Sequence, residues 1–197
     1  MLKVEKITKK FKGVDVLKDV TFNLEPGQLV HIRGINGSGK STIFKIITGL
    51  LKPATGTIML GDNDVVGALI ENPGFLEFED ALTNLRFLAD LNHNYNEAYI
   101  IELMKKFQLD PANKQPVAKY SIGMRQKLGI IQAIMENQNI ILLDEPTRGL
   151  DVESINQFAA LIMELKAAGK SIIVASHDDV ATITYDQQLQ LVDGCLS

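Results

Sequence analysis

Two apolar segments, Leu29-Val30-His31-Ile32 and Ile43-Phe44-Lys45-Ile46-Ile47, are separated by Gly34-Ile35-Asn36-Gly37-Ser38-Gly39-Lys40-Ser41-Thr42. Glycine inside regular structure costs conformational entropy. Three glycines at a strand-to-helix junction therefore need a compensating purpose. The spacing is G-x-x-x-x-G-K-[ST], a loop whose backbone N–H groups converge on phosphate oxygens while the next helix adds its N-terminal dipole. In that pattern Gly34, Asn36, Gly37, Ser38 and Gly39 line the cradle. Lys40 brings positive charge to the β- and γ-phosphates, Ser41 offers its hydroxyl to Mg²⁺, and the Thr42 region serves the α-phosphate. A strand–loop–helix unit of this kind commits the chain to an α/β fold.

A second cluster lies far along the chain. Ile140-Ile141-Leu142-Leu143 is a continuous apolar run of buried parallel-strand type, and Asp144-Glu145 follows it directly. Acidic residues at the carboxyl end of such a strand stand where open α/β sheets bind ligands. Asp144 reads as the residue that holds Mg²⁺, directly or through water. Glu145 reads as the group that polarises an attacking water. Alone, the pair fits a strand end or a helix cap equally well; beside a phosphate loop the catalytic reading prevails.

Between these clusters the texture changes. Residues 1–71 carry strand signals ("KVEKIT", "VTFNLE", "GTIML", "VGALI"), with "GVDVLKD" read as a connection and "STIFKIITGL" as a helix. About 72–137 is mostly helical, and 138–197 returns to strand–helix alternation, with "DDVATIT" read as a short helix. The expectation is a single domain of core 1–71 and 138–197 with a helical insertion. An apolar fraction of 46% suits a globular core, and a net charge of −4 gives no reason to expect nucleic acid as a partner. The one cysteine, Cys195, excludes a disulfide framework. No stretch approaches the roughly 18–20 apolar residues a membrane span needs, and the first residues lack the apolar block of a secretory signal. A cytoplasmic protein is expected, with any membrane role exercised through another chain.

With "YSIGMRQKLGI" (Tyr120–Ile130) added, the sequence resembles the nucleotide-binding subunit of an ABC transporter over nearly its whole length. The resemblance implies a P-loop NTPase core with an antiparallel β subdomain and an inserted helical subdomain. Its signature would be Tyr120-Ser121-Ile122-Gly123-Met124, in which Ser121 and Gly123 match and Ile122 and Met124 depart from the commonest form. It implies that Ser121 and Gly123 serve the ATP on a partner's P-loop, in a homodimer or beside a related cassette. It implies that His177 contacts the γ-phosphate, that Arg148–Asp151 lie along the dimer interface, and that Phe11 stacks on adenine. It implies Mg²⁺-dependent ATP hydrolysis, coupled to a separate polytopic membrane permease on the inner face of the membrane. Where the family has a glutamine contacting Mg²⁺, this chain has Glu71. "ALIENPGF" is similar to bacitracin and lantibiotic exporter cassettes, which points to export. The chain also ends early for the family. A soluble ABC ATPase of DNA repair or translation is the alternative. It is opposed by the short separation of Lys40 and Ser121 and by the absence of heptads between them.

Overall fold

The computed structural model describes residues 1–197. β1 (Leu2–Phe11), β2 (Val14–Leu24) and β4 (Thr55–Met59) form an antiparallel sheet in the order β2-β1-β4. Phe11 pairs with Val14, so only Lys12-Gly13 joins β1 to β2. Both turn residues have positive φ (48° and 84°), the geometry whose twist suits a two-residue hairpin. The expected connection at "GVDVLKD" is thus corrected. All but its glycine belongs to β2, because Leu17 and Val20 turn inward.

The second sheet has the order β5-β6-β7-β3-β8-β9. It comprises β5 (Val66–Leu69), β6 (Ile140–Asp144), β7 (Ser171–Ser176), β3 (Leu29–Arg33), β8 (Gln187–Val192) and β9 (Cys195–Leu196). β5 to β8 run parallel, and β9 folds back antiparallel on β8. β6 and β7 are buried throughout, which explains their unbroken apolar runs.

Strand periodicity divides the interior in two. Ile140, Leu142, Ile173 and Ala175 face a core shared with the antiparallel sheet and α1 (Lys40–Ile47). Ile141, Leu143, Ile172 and Val174 face a larger core filled by α2 (Ala81–Leu91), α3 (Glu97–Lys106), α4 (Ile122–Ile134) and α5 (Val152–Ala167). Four of these helices begin on side-chain caps that meet otherwise orphaned N–H groups: Asp80 for α2, Asn96 for α3, Ser121 for α4 and Asp151 for α5.

α4 lies hard against β5, where a Cβ on Gly67 would stand 1.9 Å from the Ala133 carbonyl oxygen. The segment "DDVATIT" is not a helix; Ile183 N–H closes a turn on the Val180 carbonyl. Four β-branched residues among seven, with fewer than two turns to propagate, do not nucleate one.

β3, β5, β6 and β7 lie side by side or nearly so, and their carboxyl ends open on one edge. The glycine loop leaves β3, Glu71 follows β5, Asp144 and Glu145 end β6, and His177 follows β7. Residues remote in sequence therefore converge because the strands are parallel.

Candidate functional site

A cavity of about 300 Å³ opens on that edge, lined by Asn36, Gly37, Gly39, Lys40, Ser41, Thr42, Glu71, Asp144, Glu145 and Val16. The loop supplies it with donors. Gly37 and Gly39 take positive φ (83° and 112°), and α1 starts on Gly39 with no side-chain cap. Its first N–H groups are therefore left for an anion. A side chain at Gly39 would also meet Leu17 at 2.8 Å, so the loop sits directly on β2. Lys40 is 5% exposed, and its ammonium donates to the carbonyls of Gly34 (2.5 Å) and Ile35 (3.2 Å).

The acidic pair faces this loop. Ser41 Oγ donates to Asp144 Oδ2 at 2.5 Å. Burial pushes the Asp144 carboxyl above the usual carboxylate range; the Ser41 hydroxyl opposes that shift and the Glu145 charge adds to it. Glu145 spans two nitrogen side chains, with Oε1 3.2 Å from Lys40 Nζ and Oε2 3.1 Å from His177 Nδ1. Its backbone is left-handed (φ 46°), held by its N–H on the Ala175 carbonyl at 2.7 Å and by Gln126 Nε2 donating to its own carbonyl at 3.0 Å. Glu71, also at positive φ (54°), meets Lys45 Nζ at 2.6 Å.

Several buried polar atoms here lack an aligned partner: Asp144 Oδ1, Glu145 Oε1 and Ser38 Oγ. Such atoms need one, and a polyphosphate with its cation would supply it. No group of three or more His, Cys, Asp or Glu gathers to hold a metal unaided. That suits Mg²⁺, which takes one or two protein oxygens beside substrate phosphates and water.

Lys40, Ser41, Thr42, Glu71, Asp144, Glu145 and His177 thus come together. Ser121, Gly123 and Phe11 do not line this cavity. Ser121 Oγ accepts the Met124 N–H at 3.2 Å, which caps α4 and leaves the hydroxyl hydrogen to donate elsewhere. Gly123 packs so tightly that a Cβ would stand 2.6 Å from the Gly149 carbonyl oxygen. Phe11 is 44% exposed, with Lys9 Nζ 5.3 Å from its ring centre. Three residues at the site escaped the sequence reading: Gln126, Lys45 and His31. Only their position in the fold marks them.

The ABC transporter family matches residues 17–148, from β2 through the acidic pair. The ABC transporter ATP-binding protein YybJ of Bacillus subtilis is 33% identical over 207 aligned residues, covering 100% of this chain and 94% of the relative. The lantibiotic transport ATP-binding protein SrtF of Streptococcus pyogenes is 32% identical, covering 90% of this chain and 80% of the relative. Among solved structures, the dimeric bacterial ABC transporter cassette MJ0796 superposes with a TM-score of 0.84 at 27% identity, covering 98% of this chain and 95% of that one. The same cassette in a post-hydrolysis state, bound to ADP and phosphate, superposes equally well. The chain therefore belongs to the ABC transporter family, as an ATP-binding, ATP-hydrolysing subunit.

Proposed function

We propose that this subunit works as a pair of cassettes that closes on two MgATP molecules and drives a separate membrane permease, in an exporter of peptide or drug type. One observation carries the hydrolytic part: Glu145 is fixed at the cavity by Lys40 on one carboxylate oxygen and His177 on the other. In this reading Glu145 takes the proton of the attacking water, His177 and Lys40 hold the γ-phosphate, and Gly34 to Ser38 cradle the chain of phosphates. Ser41 and Asp144, with Glu71 nearby, hold Mg²⁺, which would neutralise charge on the β- and γ-phosphates. Phe11 offers its exposed ring to adenine.

Ser121 and Gly123 lie outside their own chain's cavity, which favours their service to a partner's nucleotide. The dimeric arrangement of the MJ0796 cassette supports that reading. No helix here is long and apolar enough to cross a membrane, and in this reading a polytopic permease on another chain supplies the membrane path. The subunit would then sit on the inner membrane face, with the 72–137 segment passing closure to its partner. Export is favoured by the Glu71 segment and by the relative described as a lantibiotic transport protein.

The test is Glu145→Gln. Hydrolysis should fall on the order of 10²-fold or more, while ATP binding persists and ATP now traps a dimer in size-exclusion chromatography. Unchanged turnover removes Glu145 as the base.

A further inference from the structure

His31 is a fully buried ionisable residue in the middle of β3 that the hydrolytic reading does not use. Its ring stacks on Tyr185 at 4.7 Å between centres. Its Nε2 lies 2.8 Å from Ser176 Oγ, at the end of β7. Ser176 Oγ already gives its hydrogen to the Asp178 carbonyl at 2.6 Å. It must therefore accept from His31, which places a hydrogen on Nε2. Nδ1 then faces Asp179 Oδ1 at 3.0 Å with no aligned hydrogen bond. In a neutral ring that is a lone pair against a carboxylate. A proton on Nδ1 turns the same 3.0 Å contact into an attractive ion pair.

The turn that His31 grips is the one that carries His177. Asp178 Oδ2 lies 2.9 Å from His177 Nε2, and His177 Nδ1 lies 3.1 Å from Glu145 Oε2. The Ser176 carbonyl accepts the Gly34 N–H at 3.2 Å, tying the same strand end to the phosphate loop. We propose that His31 is a positioning residue for His177, docking the 176–179 turn through Ser176 and Asp179 when its Nδ1 carries a proton. This rests on the reading of His177 as a phosphate contact.

The charged and titratable groups around the ring come from each neighbouring element. Asp179 lies in the turn, Arg33 two residues on in β3, Glu145 at the end of β6 and Tyr185 before β8. Arg33 Nη1, 3.6 Å from Asp179 Oδ2, holds the carboxylate from its other side. Burial lowers the His31 pKa, and the Asp179 charge only partly restores it. The sign follows. The protonated, docked form exists below the depressed pKa and is lost as pH rises through it, on the acid side of the ordinary value of 6.5. Asp179→Asn removes the need for a proton, because the amide N–H can donate to a neutral Nδ1.

The chain has only three histidines, so imidazole NMR can follow each one in the nucleotide-free protein. In the wild type, His177 resonances should shift with the same inflection as His31. In Asp179→Asn, the His31 inflection should move to lower pH and the coupled His177 shift should vanish. The ratio of kcat in Asp179→Asn to wild type should rise as pH increases through the wild-type His31 inflection, with KM for ATP unmoved. A constant ratio, or a His31 titration to which His177 is blind in the wild type, overturns the proposal. The NMR arm needs no hydrolysis, so it stands apart from the outcome of Glu145→Gln.

Discussion

Lys45 Nζ on α1 lies 2.6 Å from Glu71 Oε1, so a cation meets an acidic side chain that lines the phosphate-loop cavity. Both side chains are partly exposed, at 34% and 58%, and such a pair contributes little to stability. Its consequence is local. Glu71 brings a third carboxylate to a cavity that already holds Asp144 and Glu145, and Lys45 offsets that charge without blocking the phosphate loop.

A double-mutant cycle on ATP affinity measures this compensation. Lys45→Gln should weaken MgATP binding in the wild type and do so less in Glu71→Gln. The coupling should be about 0.2–1 kcal/mol, or several-fold in Kd at most, and should shrink with added salt. Strict additivity in equilibrium binding would show that the two charges act independently.

Gln126 supports Glu145 from the backbone side. A glutamate held at φ 46° stores strain of about 1–3 kcal/mol, which persists only where neighbours impose it. Gln126→Met keeps the length and loses the donor to the Glu145 carbonyl. Turnover should fall about tenfold, the equivalent of one hydrogen bond of about 1–1.5 kcal/mol. KM for ATP should move by less than about twofold, since the phosphate loop is untouched. Equal losses in kcat/KM and in thermal stability would instead mark Gln126 as a packing residue.

The phosphate loop and the Asp144-Glu145 pair were legible because each is a contiguous motif joined to a strand of recognisable period. The mostly helical texture of the 72–137 segment was legible too, and the structure adds what the sequence reading did not use, the side-chain caps Asp80 and Asn96. The Lys12-Gly13 hairpin was misread because a lysine at positive φ carries no turn signal of its own. Gln126, Lys45 and His31 were invisible for another reason. Gln126 and Lys45 look like ordinary polar positions on amphipathic helices, and His31 interrupts an apolar strand. Their partners lie 19, 26 and 145 residues away. Only the parallel order of β5, β6, β7 and β3, with α1 and α4 packed on them, brings such pairs together.

Gly67 tests the seating of α4 on the sheet. A methyl group there would overlap the Ala133 carbonyl oxygen at 1.9 Å and crowd Gln138 Cγ at 2.7 Å. Backbone cannot swing aside as a side chain can. Gly67→Ala should therefore cost about 1–3 kcal/mol or more, seen as a drop of several degrees in Tm for a chain of this size. An unchanged Tm would mean that α4 sits farther from β5 than described.

Acid stability should depend on Asp80, which caps α2. Its Oδ1 accepts the Thr83 N–H at 2.8 Å, and its Oδ2 lies 3.0 Å from Lys114 Nζ. Burial alone would raise this carboxyl's pKa, but the Thr83 N–H and the Lys114 ammonium outweigh it and hold it below 3.8. A carboxylate whose folded pKa is depressed adds stability above its unfolded value and loses it as pH falls through the folded one. Asp80→Asn keeps a competent cap, because asparagine accepts the same N–H, but removes the charge. In urea unfolding near neutral pH the variant should be less stable than wild type by no more than about 1 kcal/mol, the scale of an exposed ion pair. Below about pH 4 the gap should close, because the wild-type carboxylate is itself protonating there. A gap of the same size at about pH 3 and pH 7 would place the acid sensitivity in other carboxylates and leave Asp80 only its capping role.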